Sequence, residues 1–349
     1  MPAYLKALLT GKYTFQKTKV PWRSFGYYGQ VVPKIAQLVK NTGHLLIEEP
    51  KLWSFKDQAT IFVCETAAGR FYLKICRQYS NEVRLTQKLS ELFPRQVSKT
   101  IGASVELNAI LTADFGKDLG ELYFSSSLDQ RLGAGCGDTV AVASQALCQW
   151  AAIQQESLRF IKDLTDIGVP IYDSSWFRKG LEDVIDFVEK HQLLAPDLRT
   201  RLRKFSVALD DGLRMWENSG IPKTLVHGDL HESNIAQPGG PGTNMIFFDW
   251  DSAFIGYPFL DLVEEFGCNV LLAAKDVYYE RWVGFADLKG IQELILWSKP
   301  IELLRGAILD ALHVSSCRED LQEKRFDISS SLEEMLSYLE ANHAQIASV

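Results

Sequence analysis

Two short segments in the second half of the chain limit what it can fold into. His227-Gly228-Asp229-Leu230-His231-Glu232-Ser233-Asn234 is followed, after a stretch rich in Pro and Gly, by the apolar run Ile246-Phe247-Phe248, which ends in Asp249-Trp250-Asp251. An Asp with an Asn five residues on is the spacing of a phosphoryl-transfer loop, in which the Asp accepts a hydroxyl proton and the Asn coordinates magnesium. Asp229 and Asn234 fill those places. The apolar run has strand character and would hold Asp249 rigidly at a strand end as an oxygen ligand for the remaining magnesium. Gln237-Pro238-Gly239-Gly240-Pro241-Gly242 reads as a tight turn joining two short strands that return both ligands to one metal site.

The two segments resemble the signature of the aminoglycoside phosphotransferase and choline kinase family, distant relatives of the protein kinases. Gly256-Tyr257-Pro258-Phe259-Leu260-Asp261-Leu262 is similar to the family's stretch after the metal Asp, and that likeness gives Asp261 the task of bracing the catalytic loop from a helix start. Upstream, Thr60 to Glu65 and Arg70 to Ile75 read as two strands around the turn Thr66-Ala67-Ala68-Gly69, with Lys74 inside an otherwise apolar strand as the expected nucleotide lysine. A helix pattern follows with Glu82 near its start and Val83, Leu85, Leu89 and Leu92 as its apolar stripe, so Glu82 can reach back to Lys74. The resemblance spans roughly residues 45 to 270. It implies an α+β, protein-kinase-like, two-lobed fold with a small strand-rich N-lobe and a larger, mostly helical C-lobe.

Several residues admit other readings. His227 and His231 with Asp229 between them have the i, i+4 spacing of a zinc site on a helix. A hydrolytic metal site would leave Lys74, Glu82, Asn234 and Asp249 without roles, whereas phosphoryl transfer uses each of them. His227 is expected to shape the loop by hydrogen bonding to backbone, and His231 to contact substrate or shape the same loop. Asp251 is open between a metal neighbour, a substrate contact and a solvated carboxylate. Gly133-Ala134-Gly135-Cys136-Gly137 lacks the spacing of a phosphate cradle and reads as a flexible loop. One departure from the family pattern stands out: residues 51–59, where a loop over the nucleotide phosphates belongs, contain no glycine. Backbone amides approach phosphate less closely there, through Ser54, Asp57 and Gln58, which keeps a non-catalytic nucleotide-binding pseudokinase as an alternative.

Charge is divided unevenly along the chain. Residues 1–110 carry 16 Lys and Arg against 7 Asp and Glu, and residues 225–349 carry 8 against 20. A basic front suits polyphosphate, and an acidic rear suits magnesium and a cationic substrate while disfavouring nucleic acid. No apolar stretch is long enough for a bilayer crossing, and the first ten residues lack the apolar core of a secretion signal. The six cysteines form no C-x-x-C pair, which suits free thiols in a reducing cytoplasm.

The expected organisation is an N-terminal extension over residues 1–43, a nucleotide-binding N-lobe over 44–115, and a helical C-lobe over 116–349 with catalytic loop and acceptor pocket. Ala109 to Gly116 reads as a strand leading into a hinge whose backbone, near Thr112 to Asp114, meets adenine. Helical periodicity is expected over residues 139–162, 176–191, 197–217, 259–274, 300–315 and 329–345. The expected reaction moves the γ-phosphoryl group of ATP or GTP, with magnesium, to a hydroxyl of a small molecule. A cationic aminoglycoside-like acceptor is favoured, with choline, an amino-alcohol or a sugar as the alternative. Trp176, Phe177, Trp282 and Trp297 could line the acceptor pocket or belong to the core.

Overall fold

Gly69 takes φ of 120° in the tight turn that closes the longest hairpin of the sheet, and Thr66 Oγ1 closes that turn by donating 2.7 Å to Gly69 O. The computed structural model describes residues 20–24, 26–124, 136–239, 242–263, 270–316 and 320–342. Its strands β1 (Lys51–Phe55), β2 (Ala59–Thr66), β3 (Gly69–Cys76), β4 (Thr100–Ser104) and β5 (Ala109–Ala113) form one antiparallel sheet in the order β1-β2-β3-β5-β4. Period-2 alternation along β3 sends Phe71, Leu73 and Ile75 to one face. There they meet Val31, Val32, Ile35, Leu38 and Val39, the apolar stripe of α1 (Tyr27–Asn41), in a core that also takes in Val20, Trp22 and Phe62. Tyr72 and Lys74 point to the opposite face. Helix α2 (Glu82–Leu92) packs Val83 against Cys76 and Ile110.

The chain divides into two compact units, Met1–Ser125 with Ser233–Asp251, and Ser126–Glu232 with Ser252–Val349. The second is mostly helical: α3 (Cys136–Ser157), α4 (Ile161–Asp166), α5 (Ser174–His191), α6 (Pro196–Asn218), α7 (Lys275–Glu280), α8 (Leu288–Ser315) and α9 (Leu321–Ala341). Where α6 and α8 approach, a Cβ on Gly212 would lie 2.2 Å from the Trp297 ring, so only glycine fits. The short strands β6 (Thr224–Val226), β7 (Ile235–Ala236), β8 (Ile246–Phe247) and β9 (Phe254–Gly256) pair as β6 with β9 and β7 with β8. The expected α+β class holds, with an antiparallel sheet in one unit and helices in the other. Among the described residues no helix is long and apolar enough to cross a membrane.

Three local expectations need correction. Residues 51–59 are a strand and a short turn rather than a loop: β1 continues to Phe55, and Lys56 N donates 3.0 Å to Ala59 O. The helix expected over 259–274 is, where described, two 3-10 stretches, Pro258–Leu262 and Val270–Ala274, the first beginning at a proline that lacks the donor a preceding turn would need. The helix expected from residue 300 begins at Leu288 under an Asp287 cap and carries Pro300 in its interior. The glycine-rich reading at 133–137 falls mostly on residues outside those described, and Cys136 and Gly137 start α3.

Candidate active site

Lys74 lines a cavity in the strand-rich unit. Because it shares the β3 face with Tyr72, it points away from the α1 core and into an open cavity of about 220 Å³. Its Nζ donates 2.7 Å to Glu82 Oε1 and 2.6 Å to Asp249 Oδ1. Glu82 is 4% exposed, so its carboxylate depends on that pairing. Burial works against the Lys74 ammonium, but the carboxylates of Glu82 and Asp249 outweigh it and hold the group charged. Burial likewise pushes Glu82 upward while Lys74 pulls it back. The second oxygen of Glu82 accepts 3.2 Å from the Cys76 thiol, a donor kept protonated by burial beside a carboxylate.

Asp249 reaches this position through the β7–β8 hairpin, whose register pairs Ile235 with Phe247 and Ala236 with Ile246. Phe248 N then donates 3.1 Å to Asn234 O, so Asn234 lies opposite the residue before Asp249. The hairpin is anchored within its own unit by Phe247 N donating 2.7 Å to Gln96 O. Asp249 itself holds φ at 68°, a left-handed conformation that Asp tolerates better than most side chains. Its side chain is 43% exposed, and an amide oxygen with a carboxylate oxygen is the donor set a hard divalent cation takes. The residues therefore fit magnesium.

The cavity's other walls are largely aromatic: Trp53, Tyr72, Phe115 and Phe248 line it with Ile61, Ile110 and Thr112. Phe115 and Phe248 lie 4.6 Å apart between ring centroids, and Trp53 meets Tyr72 edge-on at 6.3 Å. Thr112 lines the cavity and Asp114 does not. The amides of Ala113 and Asp114 are already donated to Lys99 O and Arg70 O, and the next residues along the chain, Phe115 and Gly116, line the cavity instead. Asp118 and Glu121 add carboxylates to the lining. These residues escaped the sequence reading, although Tyr72 was accessible to it: a residue two positions before Lys74 on a strand must share its face.

In the helical unit, the loop that carries Asp229 is held by its backbone. Asp261 is 5% exposed and accepts four hydrogen bonds: Gly228 N at 2.8 Å, His227 N at 3.0 Å, Trp150 Nε1 at 2.9 Å and Gln154 Nε2 at 3.2 Å. Burial pushes this carboxyl up to about 7, with the backbone donors opposing it. Gly228 takes φ of 75°, and a Cβ there would stand 2.2 Å from Ser252 O, so no other residue fits the loop. Asp229 follows, half exposed, with Oδ1 3.7 Å from His231 Nε2. His227 is fully buried, its ring edge-on to Trp150 at 6.0 Å, so the two histidines do not converge on one metal. A pair on α8 was missed by the sequence reading. Arg305 Nη2 donates 3.3 Å to Gly228 O while its Nε donates to both oxygens of Glu302, and the Arg305–Glu302 pair is buried. The legible signal was an i, i+3 acid–base pair inside an apolar helix. Glu264 and Glu265, which follow Asp261 by three and four residues, lie outside the described residues.

A family model described as the phosphotransferase enzyme family matches residues 56–285, well over half of the chain. No curated protein matches the sequence. Among solved structures, the apoenzyme of macrolide 2'-phosphotransferase MphH from Brachybacterium faecium aligns at TM-score 0.55 and 15% identity, covering 87% of this chain and 98% of that one. A gentamicin complex of APH(2")-IIa aligns at TM-score 0.58 and 14% identity over 88% and 95% of the respective chains. A choline/ethanolamine kinase family protein from Mesorhizobium loti aligns at 0.56 and 13% over 89% and 94%. At these identities the likeness is one of fold.

Proposed function

Because this chain belongs to the phosphotransferase enzyme family, we propose that it transfers the γ-phosphoryl group of ATP or GTP to a hydroxyl of a small cationic molecule of aminoglycoside type. The observation that carries the reading is Lys74 held between Glu82 and Asp249 in an aromatic-walled cavity. In this role Lys74, positioned by Glu82, contacts the α- and β-phosphates, and the aromatic walls hold a purine whose edge is read at Phe115 and Gly116 beside Thr112. Asn234 and Asp249 are the residues that would hold magnesium, which when bound neutralises phosphate charge during transfer. Asp229 takes the proton of the acceptor hydroxyl, and Asp261 and Gly228 fix the backbone that aims it. His231 and Asp229 together present a mixed polar edge to the acceptor. The chain's own contribution is positioning and charge.

The acidic balance of residues 225–349 supports a cationic acceptor. A choline-like amino-alcohol is the second reading, favoured by a specific feature of the helical unit. Phe177, Trp282 and Trp297 are core, but Trp176 is half-buried and stacked on Tyr172 at 4.1 Å, with Phe254 4.9 Å from Tyr172. Such faces hold ammonium groups by cation–π attraction. A reducing cytoplasm suits the free thiols of Cys64, Cys76 and Cys148. ATP and GTP consumption measured against matched cationic and neutral hydroxyl compounds at two salt concentrations tests the assignment. Turnover of cationic acceptors that weakens with salt is expected, and salt-insensitive turnover of neutral acceptors alone would overturn the cationic reading.

A further inference from the structure

Asp251 has no established role, and the structure gives it a neighbour two residues before α2 of its own unit. Ser80 Oγ donates to Asp251 Oδ1 and in turn accepts 3.2 Å from the backbone N of Glu82, the first residue of α2. The carbonyl of Ser80 is fixed from the other side, where Asn108 Nδ2 donates to it at 3.2 Å and to Arg77 O at 2.5 Å. Asn108 is itself set by the sheet, since its carbonyl accepts 2.9 Å from Cys76 N. Ser80 is thus held at its carbonyl by Asn108, at its N–H by Arg77 O, and at its hydroxyl by Asp251 and the start of α2.

We propose that Asp251 is a positioning residue that, through Ser80, ties the start of α2 to the Asp249 segment and so keeps Glu82 in reach of Lys74. The chemistry favours a strut over the other two roles open to this carboxylate. Ser80 satisfies one end of a charge-assisted hydrogen bond to Asp251, and the same hydroxyl caps an otherwise unpaired helix N–H, since Asn81 makes no side-chain cap. The two carboxylates of the Asp249–Asp251 segment then do opposite work on one helix. Asp249 meets Lys74 from the cavity, and Asp251 meets Ser80 at the helix start. If α2 drifts, Glu82 leaves Lys74 and the lysine falls onto Asp249 alone, where it competes with a cation.

This inference rests on the nucleotide reading of the Lys74 cavity, and its test separates the two. Calorimetric titration of ADP at several magnesium concentrations is run on the full chain, on Ser80→Ala, Asp251→Asn and Ser80→Thr, and on the Ser80→Ala/Asp251→Asn double variant. Each of the first two should weaken binding by about tenfold, the scale of one charged hydrogen bond, and the double variant should be no weaker than either. Ser80→Thr, which keeps the hydroxyl, should bind as the unaltered chain does, and the magnesium concentration for half-effect should not move. A raised magnesium requirement in Asp251→Asn without one in Ser80→Ala would make Asp251 a metal ligand and overturn the strut, as would additive losses or no loss. Amide hydrogen exchange in residues 82–86 reads the helix start without nucleotide. Faster exchange in both single variants is expected, and unchanged exchange sinks the strut even where ADP fails to bind the unaltered chain, a failure that would count against the nucleotide reading instead.

Discussion

The strand-rich unit and the helical unit hold their reactive groups by opposite means. In the first, side chains hold side chains: Lys74 is suspended between Glu82 and Asp249, and Cys76 fixes the remaining oxygen of Glu82. In the second, a buried carboxylate holds backbone: Asp261 grips the amides of His227 and Gly228, and Asp229 is left half exposed. On the proposed reaction, the difference follows from what each group would do. An ion-pair network can open to admit phosphate and a cation, because its partners trade one charged contact for another. A group that accepts a proton must keep its aim while its own charge changes, and that requires a rigid backbone beneath it.

The contrast predicts unlike responses to mutation. Asp229→Asn should lower turnover by at least about 10²-fold while nucleotide affinity stays put, since the loop's shape rests on Gly228 and Asp261. Steady-state kinetics beside ADP titration checks this, and unchanged turnover would remove Asp229 from its role. Gly228→Ala comes next. Its Cβ meets Ser252 O and its φ is left-handed, so destabilisation of about 2 kcal/mol together with lost activity is expected in chemical denaturation and assay.

Asp261→Asn should separate stability from activity. Burial raises this carboxyl to about 7 in the folded chain, above the ordinary value of about 4 that it has when unfolded. The folded state therefore holds the proton more tightly, and that stabilising contribution is lost as pH rises from about 4 through about 7. An asparagine has no such titration, so the unaltered chain should lose stability relative to Asp261→Asn across that window, measured by denaturation at about pH 5 and about pH 8. Turnover of the variant should nonetheless be lower at about pH 8, because one acceptor for the loop amides is gone. A rise with pH in the stability of the unaltered chain relative to Asp261→Asn would contradict the burial account.

The smallest effect is expected on the side-chain network. Cys76→Ala removes one weak donor from Glu82, which should weaken nucleotide binding by less than about tenfold, with Cys76→Ser restoring it.

The sequence was most legible where geometry is local. The Thr66–Gly69 hairpin, the Pro and Gly turn before Asp249, and the spacing from Lys74 to Glu82 each follow from period, turn chemistry and a single strand face. The bracing place of Asp261 came from family resemblance, and its four donors could not be read from spacing, since Trp150 and Gln154 lie more than 100 residues away. The aromatic walls were hidden for a related reason. Trp53, Phe115 and Phe248 come from three separate elements, and only pairing across the sheet and hairpin brings them to one cavity. The glycine-free segment misled because a strand can occupy a place where a loop was expected. A proline inside α8 and one at the head of the 258–262 turn look alike in sequence, and packing decides which of them begins an element.

The proposed reaction divides the labour, with nucleotide and cation held by the Lys74–Glu82–Asp249 network and the proton taken by Asp229. Calorimetric titration of ADP with and without magnesium into the unaltered chain, Asp229→Asn and Asp249→Ala tests that division most directly. Magnesium should tighten ADP binding equally in the unaltered chain and Asp229→Asn, and should have no effect in Asp249→Ala. The same magnesium-linked affinity in Asp249→Ala as in the unaltered chain would contradict it.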